Sequence, residues 1–72
     1  MRNKNRIPEF TGKYAELWMN AAPDQRFGQF TLNFFNWIIK THGVDPFFPE
    51  EEKMLTYLKD YCKNIYGLEA VE

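Results

Sequence analysis

Hydrophobic residues recur every three or four positions over three stretches of the chain, which is the spacing of an amphipathic helix. The pattern predicts helices at about 8–20, 23–41 and 49–66, with loose ends at 1–6 and 68–72. A proline stands in each predicted first turn, and a glycine follows the ends of the second and third helices. Gly12 is unfavourable inside a helix, which leaves open a later start of the first helix at Thr11.

The second predicted helix is apolar around most of its circumference. Its polar residues fall in one narrow stripe, made of Arg26, Gln29, Asn33, Asn36 and Lys40. A helix with so little polar surface is normally covered on more than one side. Gly28 would let a neighbouring backbone approach closely. The sequence therefore predicts an all-α fold, a compact three-helix domain in which helix 2 is central and mostly buried.

Charge is unevenly distributed along the chain, although the net charge is only −1. Residues 1–41 carry six Lys or Arg against three Asp or Glu, and residues 42–72 carry three against seven. Short connections imply antiparallel neighbours, so the starts of helices 1 and 3 share one end of the domain. There the basic Arg2, Lys4 and Arg6 meet the acidic run 50–52. These charges either complement each other within the fold or mark a site for a partner.

Aromatic residues are unusually frequent, with seven Phe, four Tyr and two Trp among 72 residues. A domain of this size has a thin core, and each ring can bury roughly 150–250 Å². Some rings should therefore reach the surface. Clustered exposed aromatics usually mark an interface for a partner or for a second copy. A few half-buried rings on a small protein need no function, and both interpretations stay open.

The chain offers little for catalysis or metal binding. Cys62 and His42 are the only residues of their kinds, so they form neither an internal disulfide nor a Cys/His zinc site. Cys62 lies on the apolar face of helix 3, where a small inert core residue is expected. The glutamates at 50–52 lack the alternating ligands and loop glycine of a calcium site, and no phosphate-binding glycine motif is present. We expect no enzyme activity and no cofactor.

The apolar runs and the net charge of the sequence bear on where the chain is located and which classes of partner it can bind. The longest apolar run, 34–39, is interrupted by Asn36 and is far too short to span a bilayer. The basic start MRNKNR is not followed by the apolar core of a signal peptide. We expect a soluble, cytoplasmic chain with no membrane partner. A net charge of −1 disfavours broad nucleic-acid binding.

The polar stripe and the aromatics near it form the candidate binding site, whose residues are Arg26, Gln29, Asn33, Asn36, Trp37, Phe47 and Phe48. The stripe offers amides and a guanidinium rather than the Lys/Glu mixture of an ordinary solvated face. Amides recognise other amides, backbone groups or base edges. Arg and Trp beside amides have the composition of a protein-interface hot spot. Alternatively, Arg26 and Gln29 tie helix 2 to the free carbonyls at the ends of its neighbours.

The motif residues are those of PDxRFGQ at 23–29, Asn33, DxFF at 45–48, and Glu51-Glu52. This string resembles a group of short phage, prophage and bacterial proteins with a PDxRFGQ…N…DxF(Y/F)xxEE pattern. The resemblance covers roughly residues 14–60, while Pro46, Pro49 and the basic start depart from the pattern. It implies a phage or bacterial setting but no particular reaction. The motif positions that it singles out are Arg26, Gly28, Gln29, Asn33, Asp45 and Phe47.

The sequence favours a small non-enzymatic protein-binding module, in a phage setting one that inhibits or modulates a host factor. The alternative is a nucleic-acid-binding protein that uses helix 2 for recognition and Arg2, Lys4 and Arg6 as a phosphate-contacting arm. A third possibility is a homodimer or larger homo-oligomer in which the surplus aromatics form the subunit interface.

Overall fold

The protein is a three-helix, all-α domain, as predicted. The structure, a computed structural model, describes residues 2–68. Its elements are α1 (Arg6–Ala21), α2 (Phe27–His42) and α3 (Glu51–Tyr66), and this part of the chain contains no strand. No helix within residues 2–68 has the length and apolar character needed to cross a bilayer.

The starts of α1 and α2 differ from the prediction. α1 begins at Arg6, so Gly12 lies inside the helix. Thr11 does not cap the helix, because its hydroxyl donates to the carbonyl of Ile7 at 2.9 Å. α2 begins at Phe27, four residues later than predicted, and the segment before it forms a turn. Pro23 lies in this turn, in which the amide of Gln25 donates to the carbonyl of Ala22 at 3.1 Å, so the segment forms a tight turn in place of the first turn of α2.

Glycine ends both of the later helices, as the sequence predicted. Gly43 and Gly67 have φ values of 65° and 68°, in the left-handed region that closes helices. After α3, the amide of Leu68 donates to the carbonyl of Cys62 at 3.2 Å, and the Leu68 side chain packs against the core. The predicted loose end therefore does not include Leu68, and its remainder, 69–72, lies outside the described residues.

Residues 2–5, which belong to the predicted loose start, lead into α1 through a turn. The amides of Arg6 and Ile7 donate to carbonyls of the preceding turn at 3.2 Å. Arg2 pairs with Glu50 at 2.7 Å, and Arg6 pairs with Glu51 at 2.8 Å. The starts of α1 and α3 therefore share one end, as predicted, and part of the charge asymmetry is complementarity within the fold.

The core is formed by residues from all three helices and includes a cluster of aromatic rings around Phe30. Its buried residues are Leu17, Ala22, Phe30, Phe34, Ile38, Met54, Leu58, Tyr61 and Cys62. Phe30 is completely buried, and four rings lie within 6.4 Å of its centroid: those of Tyr14, Trp18, Tyr61 and Tyr66. Aromatic side chains from all three helices therefore meet at one residue of α2.

The central position predicted for helix 2 is not confirmed. The backbones of α1 and α3 approach each other most extensively, and α2 approaches α3 over a smaller length. Three large apolar side chains of α2 are about half exposed or more, namely Phe27, Leu32 and Ile39. The close approach predicted at Gly28 is wrong, because a Cβ added there would meet nothing within 4 Å. Gly28 lies away from the core-facing residues of the helix.

Candidate functional site

The structure divides the predicted site into two separate surfaces. Arg26, Gln29, Asn33 and Asn36 are exposed along α2, and Trp37 beside them is half-buried. We call these five residues the polar face. Phe47 and Phe48 lie in the loop between α2 and α3, where they are 83% and 73% exposed.

The two surfaces lie on opposite flanks of α2. Residues four apart along a helix form a row on one side. The core row of α2 is Phe30, Phe34 and Ile38. The row on one side of it contains Gln29, Asn33 and Trp37. The row on the other side contains Phe27, Thr31 and Phe35, which line the same groove as Phe47.

Arg26 and Gln29 have different roles at the start of α2. Arg26 is the N-cap residue, and its backbone amide donates to Oε1 of Gln29 at 2.9 Å. Gln29 therefore satisfies a free amide at its own helix start rather than a carbonyl of a neighbouring helix. The guanidinium of Arg26 has donors only, so it contributes nothing to this cap. Within residues 2–68 the Arg26 side chain takes part in no ion pair.

Gln25 holds the turn before α2 against the rest of the fold, a role that sequence reasoning missed. Its backbone carbonyl accepts a hydrogen bond from Nε1 of Trp18 at 3.0 Å, and its Nε2 donates to the hydroxyl of Tyr66 at 2.7 Å. Its Oε1 accepts from Nδ2 of Asn33 at 3.4 Å. No pattern in the sequence indicates this role, since the prediction placed Gln25 inside the first turn of helix 2.

The Gln25 contacts continue into the core through two tyrosines. The hydroxyls of Tyr66 and Tyr61 lie 3.2 Å apart. Burial, and secondarily the hydrogen bond with Tyr66, raise the pKa of Tyr61 well above its ordinary range. The Tyr61 hydroxyl therefore stays protonated at neutral pH, and the hydrogen bonds from Gln25 to Tyr66 and on to Tyr61 connect the turn with α3.

Trp37 is held at the edge of the polar face by a row of rings. Its centroid lies 5.4 Å from that of Tyr61 and 5.3 Å from that of His42. His42 in turn packs on Tyr57 at 4.8 Å, and its Nε2 lies 3.8 Å from Asp60 Oδ2. The indole is therefore fixed against α3 while part of it reaches solvent.

The second surface is an apolar groove of about 370 Å³ between α1, α2 and the loop that follows α2. We call it the aromatic groove, and its principal lining residues are Phe10, Tyr14, Phe27, Phe35, Pro46 and Phe47. Of these, only Phe47 was a predicted site residue. The high aromatic content of the sequence indicated that some rings are exposed, but it does not reveal which rings share a surface.

The polar groups that line the aromatic groove are already paired. The hydroxyls of Tyr14 and Thr31 hydrogen-bond to each other. Burial raises the pKa of Tyr14, and the bond with Thr31 partly opposes that shift. The carboxylate of Glu51 is paired with Arg6. The groove therefore presents an apolar surface with no unpaired charge to whatever covers it.

Burial raises the pKa of the Cys62 thiol to about 11, which keeps it protonated and unreactive at neutral pH. Among residues 2–68, no three His, Cys, Asp or Glu side chains come together in a group that could hold a metal ion.

No family model, curated protein or solved structure matches the chain. The resemblance to the phage and bacterial proteins therefore stays a prediction.

Proposed function

We propose that this chain is a small non-enzymatic protein-binding module whose polar face contacts the partner. In the phage setting that the sequence resemblance implies, the module is an accessory protein that inhibits or modulates a host factor. The observation that carries the proposal is the polar face itself: exposed hydrogen-bonding groups beside a tryptophan that the core holds in position.

The composition and rigidity of the polar face support this proposal. Interface hot spots are enriched in Trp and Arg, and they lie next to groups that exclude water or accept hydrogen bonds. Trp37 is packed against Tyr61 and His42, so little side-chain entropy is lost when a partner covers it. Asn36 and the guanidinium of Arg26 are exposed on the same side of α2 and are available for hydrogen bonds.

Side chains of the polar face can be removed without breaking the cap at the start of α2. Because the cap uses the backbone amide of Arg26, replacing its side chain by alanine preserves the bond to Gln29. Asn33 makes one hydrogen bond, at the long distance of 3.4 Å. The double variant Arg26→Ala/Asn33→Ala should therefore fold while it loses two of the proposed contacts.

The nucleic-acid alternative gains no support from the basic N-terminal segment. Arg2 and Arg6 are paired with Glu50 and Glu51, and each would have to leave its carboxylate to contact a phosphate. Counterion release, the main source of affinity for nucleic acids, is therefore weakened at this end of the domain.

The test is affinity capture with the tagged full chain from a bacterial lysate, with and without nuclease. A matched control variant is Lys59→Ala/Asn64→Ala, which also removes one cation and one amide, from exposed positions on α3. Helical circular dichroism checks that each variant is folded. We expect a stoichiometric protein that survives nuclease and is retained by the control variant. The Arg26→Ala/Asn33→Ala variant should lose most of it.

Two outcomes would contradict the proposal. Unchanged capture by the folded Arg26→Ala/Asn33→Ala variant would show that the polar face is not the binding surface. Capture that disappears with nuclease and weakens steeply with salt would show that the chain binds nucleic acid instead.

A further inference from the structure

The exposed apolar residues around the aromatic groove are the largest feature that the polar face does not explain. Phe27, Phe47 and Phe48 are 60%, 83% and 73% exposed. With side chains that can each bury roughly 150–250 Å², the three expose on the order of 400 Å² of mostly apolar surface. That is as large as the largest apolar patch on a typical monomer, which is often a functional surface.

We propose that the aromatic groove is a self-association surface, where a second copy of this chain binds and Phe48 of each copy enters the groove of the other. The loop that borders the groove also carries Phe48. The centroids of the Phe48 and Phe47 rings lie 5.0 Å apart, but Phe48 does not line the groove of its own chain. A projecting ring and an open groove thus lie on one face, which is what a two-fold interface between identical copies requires.

Charge also favours a second copy. The net charge of the chain is −1, so two copies repel each other weakly. The one charged residue that lines the groove, Glu51, is neutralised by Arg6 at 2.8 Å. An apolar ring such as Phe48 therefore enters without leaving an unpaired charge buried. A basic or acidic segment of another protein would find no charge complement there.

The size of the domain points in the same direction. A 72-residue chain has a thin core, and small domains commonly gain stability by association. A stable interface buries roughly 800 Å² on each partner. The three exposed phenylalanines supply about half of that, which is the area of a weak and reversible dimer rather than of a permanent one. We therefore expect a dimer that dissociates in the micromolar range, and its two polar faces remain uncovered.

The first measurement is sedimentation equilibrium of the full chain from low micromolar to sub-millimolar concentration. We expect a monomer–dimer equilibrium that changes little on addition of salt. Phe48→Ala should weaken the dimer by roughly 100-fold, because each dimer loses two central rings. The matched control is Ile65→Ala, a truncation at another exposed apolar position, near the far end of α3. It should leave the equilibrium unchanged.

The second measurement locates the contact. In a dimer formed from isotope-labelled and unlabelled copies, filtered nuclear Overhauser spectra should connect the Phe48 ring of one copy with the Thr31 methyl group of the other. A monomer over the whole concentration range would overturn the proposal. So would a dimer that survives Phe48→Ala, or one that lacks this cross-peak. Each result is independent of whether the polar face captures a partner.

Discussion

Removal of one phenyl ring should have very different consequences at Phe30 and at Phe47. Phe30 is completely buried, and its ring lies parallel to that of Trp18 at 5.9 Å and edge-on to that of Tyr14 at 5.7 Å. Truncation of a buried Phe to Ala typically costs about 3–5 kcal/mol, from lost transfer energy and the cavity that remains. At roughly 0.05–0.15 kcal/mol per residue, this chain has about 4–11 kcal/mol of stability. Phe30→Ala therefore removes a large part of it.

Phe47→Ala deletes the same atoms at a position that is 83% exposed. We expect a change in unfolding free energy within about 0.5 kcal/mol. The assay is urea unfolding followed by far-ultraviolet circular dichroism, at a protein concentration low enough for the chain to be monomeric. Phe30→Leu serves as a milder change at the buried position if Phe30→Ala does not fold. Equal destabilisation by Phe30→Ala and Phe47→Ala would refute the assignment of the core.

Three further predictions concern local chemistry. Because the folded Cys62 thiol keeps its proton to about pH 11 while the unfolded thiol releases it near pH 9.0, its contribution to stability is complete below pH 9 and falls as the pH rises through this window. Urea titrations from pH 8 to 11 should show this fall, and Cys62→Ala should make it shallower; an unchanged slope would contradict the burial argument. Gly12→Ala should raise the free energy of unfolding by about 0.5–1 kcal/mol, and the melting temperature with it, because alanine is the better helix former. Gly43→Ala should lower the free energy of unfolding by about 1–2 kcal/mol, and the melting temperature with it, because φ there is 65°. Shifts of the same sign would show that one helix boundary is misplaced. Arg6→Ala should lower the free energy of unfolding, measured in urea, by up to about 1 kcal/mol. Arg2→Ala should lower it less, because the side chain of Arg2 is twice as exposed. The reverse order would be inconsistent with the two ion pairs.

Periodicity predicted the helices well because each has a continuous apolar row and a strong stop signal. Gly43 and Gly67 end α2 and α3 where expected, since a left-handed residue there needs no side chain. The start at 23 was wrong because proline suits the first turn of a helix and also suits a turn before one. Only the tertiary contacts of Gln25 distinguish the two, and these include Tyr66 of α3, which is 41 positions away along the chain.

The candidate site was predicted in composition but not in arrangement. The row containing Gln29 and Asn33 could be drawn on a helical wheel, and the structure leaves both side chains exposed. Phe47 was added to the same set because it is a motif position and one of the aromatic residues expected to reach the surface. The loop instead brings it to the opposite flank of α2, beside Phe27 and Phe35. The path of a loop depends on the packing of the elements it joins, which a single sequence does not specify.

The extensive contact between α1 and α3 has a consequence for how the chain is made. Arg6 and Glu51 meet across 45 positions, and closing a loop of that length costs about 3 kcal/mol of chain entropy. A ribosome releases α1 and α2 before α3, so the nascent chain carries Phe30, Phe34 and Ile38 without the helix that covers them. The buried residues of α2 are therefore fully covered only once α3 has been made, and until then we expect them to be accessible to factors that bind apolar segments.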